Sequence, residues 1–170
     1  MREEQGRRRP RRAGRARSDA ERRRLAQASR ERRWRERPEA PVLWCDGGSR
    51  GNPGPAAFAF VLSVPGGPCV SYAEALGRAS VDEAEYRAVL AGLERASALG
   101  LSGVEVRLDS RVVAAQLSGE REPRNSVLRA LLEDVRRVAV GARPVQYRWI
   151  PREQNGRANA LVAETLGLRT

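Results

Sequence analysis

The chain has no lysine and no histidine: all 32 of its basic residues are arginine, set against 21 acids in 170 residues. The missing histidine excludes imidazole acid/base chemistry and histidine metal ligands. Cysteine is scarce too. Cys45 and Cys69 are too few for a disulfide framework and do not form a paired metal-ligand spacing, so both read as small buried hydrophobes, consistent with a reducing compartment. Long apolar runs are also missing. None approaches the roughly 18 residues of a membrane span, and the N-terminus lacks the apolar core of a signal peptide. A cytoplasmic protein with no membrane partner is expected.

At 41% hydrophobic over 170 residues, the chain can form one domain with a real core. Its charge is uneven. Residues 1–38 hold 16 Arg against 6 acids, net +10, while the other 132 residues hold 16 against 15, net +1. Beyond Met1, the large apolar side chains of residues 1–38 are Leu25 and Trp34, too few for a core. Ser18-Asp19-Ala20-Glu21 has the form of a capping box, and Glu31 sits four residues before Arg35. These predict an exposed helix from about Asp19 to Arg35, closed by Pro38 and Pro41. Guanidinium groups fork onto phosphate oxygens and release counterions, so this arm suits nucleic acid without reading its sequence, with Trp34 as a stacking ring. A solubilising tail is the alternative.

From residue 39 to 170 the pattern is that of a single α/β domain. Leu43–Asp46, Ala56–Val64 and Cys69–Ala75 read as three strands, with Pro65-Gly66-Gly67-Pro68 turning between the second and third. Short loops imply an antiparallel meander. Because the second strand lies between the first and third, Cys45 and Cys69 are not expected to form a disulfide. Asp82–Leu99 has helical periodicity and stops at Gly100; Val104–Asp109 and Val145–Ile150 are strands; 110–117, 126–140 and 156–166 are helices. The expectation is a mixed five-stranded sheet, three antiparallel strands then two parallel to the first, flanked by helices.

Three acids fall at element ends: Asp46 closing the first strand, Glu85 in the first turn of the long helix, and Asp109 closing the fourth strand. Adjacent parallel first and fourth strands would bring the two aspartates together, with Glu85 entering from a helix across that edge. Clustered carboxylates repel unless a cation or proton is shared, and hard oxygen donors suit Mg²⁺ or Mn²⁺. Two such ions roughly 3.5 to 4 Å apart serve in-line displacement at a phosphodiester.

Asp46-Gly47-Gly48-Ser49-Arg50-Gly51-Asn52-Pro53-Gly54-Pro55, Ala84-Glu85-Tyr86, Asp109-Ser110, and Trp149-Ile150-Pro151-Arg152-Glu153-Gln154-Asn155 with Arg157-Ala158 follow in order. Over residues 42–166 the chain resembles the type I ribonuclease H family, especially its compact bacterial branch. The resemblance implies the ribonuclease H-like fold and an endonuclease that hydrolyses the RNA strand of RNA/DNA hybrids, leaving a 5′-phosphate and a 3′-hydroxyl. It implies that Asp46 bridges two Mg²⁺ or Mn²⁺ ions, completed by Glu85, Asp109 and the position of Asn159. Gly48, Ser49, Arg50, Gly51 and Asn52 would meet the substrate, the Ser49 and Gly51 backbone at the RNA minor groove. Tyr86 is assigned to packing.

The departures from the family lie in the site itself. Asn159 stands where the family has a fourth acid, and Val81 and Asp82 stand where it has an asparagine pair. Arg111 replaces a glutamine and would contact the nucleic-acid backbone. Ser118–Asn125 leaves little room for a basic protrusion, a role the arm could take. A non-cleaving nucleic-acid-binding protein on the same fold, or a nuclease acting on structured RNA, are the alternatives; a monomer is expected.

Overall fold

The computed structural model describes residues 40–67 and 69–168. The arginine arm and its expected helix lie outside these residues. The elements in chain order are β1 Val42–Ser49, β2 Gly54–Ser63, β3 Cys69–Ala79, α1 Val81–Ala98, β4 Glu105–Leu108, α2 Arg111–Leu117, α3 Ser126–Ala139, β5 Gln146–Trp149 and α4 Gly156–Thr165. Short 3-10 turns at Val140–Ala142 and Arg152–Asn155 precede β5 and α4.

The five strands lie in the order β3-β2-β1-β4-β5. β1 is antiparallel to β2, β2 antiparallel to β3, and β4 and β5 run parallel to β1, which is the expected mixed sheet. One face is the main core. Leu43, Cys45, Phe58, Phe60, Leu62, Val106 and Leu108 from the strands meet Val89, Leu93, Val113, Leu132 and Val135 from α1, α2 and α3. The other face is thinner: Ala57 and Ala59 accept Leu161, Val162 and Leu166 of α4. Small side chains on β2 let that helix approach closely.

α1 begins with a complete capping box, Ser80 accepting from Glu83 N while Glu83 accepts from Ser80 N at 2.6 Å. That fixes where the helix starts, and so where Glu85 points. Tyr86 is fully buried, its hydroxyl donating to Gln116 Oε1 at 2.9 Å, a packing role.

Two expectations are corrected. Cys45 is buried, but Cys69 is exposed at the start of the edge strand β3, where Arg157 Nη1 donates to its sulfur at 3.1 Å. An edge strand with one solvated face does not bury every apolar position. The thiols are free, with β2 between their strands. Nor does β1 end at Asp46; it runs on to Ser49. Its parallel pairing with β4 stops at Cys45–Leu108, while its antiparallel pairing with β2 continues to Ser49–Ala56. The turn comes later, around Gly51, whose φ is +89°.

Gly47 and Gly48 therefore serve close approach. A Cβ on Gly47 would lie 2.2 Å from Glu85 N and 2.3 Å from Ala84 C; one on Gly48 would lie 2.8 Å from Val162 Cγ1. α1 and α4 both rest on the β1 backbone at this point.

Candidate active site

Asp46 on β1, Glu85 in α1 and Asp109 just past β4 place carboxylate oxygens within 4.8 Å of one another. Each arrives for a local reason. Asp46 sits where β1 separates from β4, Asp109 where β4 gives way to the Ser110 cap of α2, and Glu85 is pressed toward Asp46 by the backbone contact at Gly47.

Asp46 and Glu85 are each about 3% exposed, so the cluster gathers negative charge out of water. Burial raises the Asp46 carboxyl to about 7, the Asp109 charge adds to the rise, and Arg152 and the Gly47 N–H oppose it. Burial also drives Glu85 well above the usual carboxylate range, assisted by Asp46, Asp109 and Asp82. Glu85 Oε2 is buried and has no hydrogen-bond partner among the described residues.

Asn159 lies in the first turn of α4. Its Nδ2 donates to the Arg152 carbonyl at 3.2 Å, which leaves Oδ1 buried and without a partner. Crowded carboxylates with one orphaned carboxylate oxygen form an all-oxygen donor set that fits a hard divalent cation.

The expected substrate residues divide. Arg50, Gly51 and Asn52 are exposed beyond β1. The Ser49 hydroxyl is occupied internally, donating to the Ala79 carbonyl at 3.1 Å, and Asn52 Oδ1 accepts from Val81 N at 3.0 Å. Arg50 reaches toward the end of α4, where a Cβ on Gly167 would be 3.5 Å from its Nη2. Gly48 is covered by Val162. Asp82 is half-buried in the first turn of α1, close enough to raise Glu85. Arg111 stacks on the Trp149 indole, its guanidinium carbon 3.7 Å from the ring centroid.

Three contributors carry no assignment in the sequence reading, although all stand in the Trp149–Asn155 stretch. Arg152 Nη1 lies 3.4 Å from Asp109 Oδ2, its side chain 71% exposed. Trp149 Nε1 donates to the Asp109 carbonyl at 3.1 Å. Asn155 is buried and its Nδ2 donates to the Cys45 carbonyl at 2.8 Å, tying the turn before α4 to β1 one residue short of Asp46. The signal was the unusual placement of an asparagine and a tryptophan at the two ends of a turn; only the contacts show which backbone groups they hold.

A reverse transcriptase-like family model matches residues 44–165. Ribonuclease HI of Halobacterium salinarum is 40% identical over 122 residues, which cover 71% of this chain and 61% of that protein. The crystal structure of the Halobacterium RNase H1 superposes with a TM-score of 0.71 at 37% identity, covering 75% of this chain and 98% of that one. The N-terminal RNase H domain of a Mycobacterium tuberculosis protein gives a TM-score of 0.72 at 34% identity, covering 76% and 94%. A bifunctional protein of M. tuberculosis is 36% identical over 127 residues, 74% of this chain and 35% of that protein, so the chain spans about a third of its length. With the family model matching residues 44–165 and RNase H1 structures superposing over three quarters of the chain, the chain belongs to the reverse transcriptase-like family, among its ribonuclease H1 members.

Proposed function

We propose that residues 39–170 form a divalent-metal-dependent ribonuclease H that hydrolyses the RNA strand of RNA/DNA hybrids. The observation that carries this reading is the convergence of Asp46, Glu85 and Asp109 within 4.8 Å where the central strands β1 and β4 part. A solved RNase H1 bound to an RNA/DNA hybrid, 29% identical with a TM-score of 0.69, supports the substrate class. Asp46, Glu85, Asp109 and Asn159 Oδ1 would hold two ions, Mg²⁺ or Mn²⁺. Bound there, the ions supply an activated water and stabilise the leaving oxygen.

The protein's own groups do the rest. Water attacks phosphorus, the P–O3′ bond breaks, and the products are a 5′-phosphate and a 3′-hydroxyl. Gly51 and Asn52 present backbone and an amide to the RNA minor groove, where 2′-hydroxyls distinguish it from DNA. Arg111, held flat on Trp149, offers its outer N–H groups to a phosphate. Residues 1–38, net +10, recruit nucleic acid without sequence preference. The protein works as a cytoplasmic monomer, consistent with its free thiols. Among the described residues, no helix is long and apolar enough to cross a membrane.

The test is cleavage of a labelled hybrid by purified full-length protein in Mg²⁺ and in Mn²⁺, beside duplex RNA and single-stranded RNA. Cleavage confined to the hybrid's RNA strand is expected. Binding without cleavage in both metals overturns the reading in favour of a non-cleaving protein; preference for duplex RNA overturns the substrate class.

Trp149→Phe keeps a ring under Arg111 but removes the N–H donated to the Asp109 carbonyl. Losing one such bond, about 1 kcal/mol, should raise the divalent-ion concentration for half-maximal cleavage roughly fivefold, with KM for hybrid little changed. Kinetics at varied metal and substrate separate the two.

A further inference from the structure

The helix contacts on the Asp46 side of the sheet fall on β1, β2 and β3, where α4 lies. Toward β4 and β5 that face carries polar side chains. Register places Trp44, Arg107 and Arg148 in one row across β1, β4 and β5, and Glu105 one pleat behind them. Arg107 Nε bonds Glu105 Oε1 at 2.6 Å while its guanidinium carbon lies 5.2 Å from the Trp44 ring centroid. Arg148 Nη1 is 3.8 Å from the same carboxylate oxygen. Glu105 is 6% exposed and neutralises one guanidinium, so the row keeps a surplus positive charge. Arg107 is clamped by a carboxylate and an indole with its terminal N–H groups unassigned among the described residues.

Beside this row opens a cavity of about 330 Å³ lined by Arg107, Arg148, Trp149, Ile150, Pro151 and Gln154. Its lining pairs two guanidinium groups and an amide with the side chains of Trp149, Ile150 and Pro151, the combination that takes a phosphate together with its base. Gln154 belongs to the same 3-10 turn as Arg152, which reaches Asp109. Arg107 precedes Asp109 by two residues of strand, roughly 7 Å. The cavity thus adjoins the turn from which Arg152 reaches Asp109.

We infer that this cavity is a second nucleic-acid subsite, which holds a nucleotide of an unpaired strand continuing out of the substrate. It rests on the hybrid-cleaving function proposed above. A strand is favoured over a free nucleotide because the groove is open and carries only one uncompensated charge, enough for a passing phosphodiester and too little for a multiply charged terminal phosphate. The strand is also delivered by the substrate itself.

The experiment compares a blunt hybrid with the same hybrid bearing an RNA extension of about ten nucleotides, using the full chain and its Arg148→Ala and Gln154→Ala variants. Arg148 is the informative choice: it is exposed on the edge strand, whereas loss of Arg107 would strand the buried Glu105. Wild type should bind the extended hybrid roughly five- to tenfold more tightly, with a log–log salt slope steeper by about 0.7 per phosphate held. Both variants should lose that gain while cleaving blunt hybrid at the wild-type rate with an unchanged melting temperature. Equal binding of both hybrids by wild type, or equal losses on both in the variants, overturns the subsite. Competition by adenosine 5′-monophosphate without any gain from the extension assigns the cavity to a free nucleotide and overturns the strand. Failure of blunt-hybrid cleavage in wild type would instead strike the proposed function.

Discussion

Asp46→Asn should stabilise the metal-free protein at neutral pH while removing cleavage. The Asp46 carboxyl sits at about 7 in the fold, against an ordinary 3.8, chiefly through burial and then through Asp109. A folded value above the unfolded one means the folded protein binds the extra proton. The stabilisation from this group is complete below about pH 4 and is lost as pH rises through about 7. Glu85, raised in the same direction, adds to the loss. Above pH 7 the metal-free site carries a penalty on the order of 2–4 kcal/mol from Asp46, which asparagine removes. A rise in Tm on the order of 10 °C is expected at pH 7.5 without divalent ion, and little change at pH 4. Divalent ion should raise the wild-type Tm increasingly with pH and leave the variant's unchanged. Hydrolysis of hybrid should fall at least about a thousandfold, equivalent to ~4 kcal/mol in the barrier. Calorimetry across pH 4–8 with and without Mn²⁺ reads the first part; a wild-type Tm that holds steady over that range in the absence of metal would refute it.

Asn159→Asp carries the second large effect, with the opposite sign on stability. Asn159 Oδ1 is buried and unpartnered while its Nδ2 is held by the Arg152 carbonyl. Replacing the amide with a carboxylate gives up the Nδ2 bond and, if Oδ1 faces the cation, gives the site a fourth negative charge. Tighter divalent-ion binding, roughly tenfold or more, and faster hydrolysis at limiting metal are expected, together with a lower metal-free Tm at neutral pH. Titration of Tm and of rate with MnCl₂ measures both. If the substitution leaves ion affinity and rate unmoved, Asn159 does not face the cation.

Much of the frame was legible because apolar runs closed on aspartates. Leu43–Asp46 and Val104–Asp109 declared two strands with acids in matching places, and parallel pairing follows from the helix between them. Helical periodicity from Asp82 placed the third acid in the first turn of the long helix. Glycine was the misleading signal. Gly47 and Gly48 stand beside Gly51 in one motif, yet only Gly51 has a positive φ; the first two yield space to neighbouring backbone and side chain. One residue type answers two different demands, and sequence cannot separate them. Cys69 misled similarly, since a strand's exposure depends on whether anything pairs beyond it. Arg152 with Asp109, and Trp149 with the Asp109 carbonyl, join residues some 40 positions apart and required the folded chain to be seen.

The packing at Gly47 separates two properties that are often entangled. The spacing between Asp46 and Glu85 is set by main chain against main chain, with no intervening side chain to adjust. Asn159, by contrast, arrives on α4, which packs on Ala57 and Ala59 of β2 and meets β1 through Val162 over Gly48. The fold thus writes the Asp46–Glu85 spacing into the backbone, while residue 159 rides on a separately seated helix. A substitution at 159 is therefore expected to leave the spacing of those two acids unchanged.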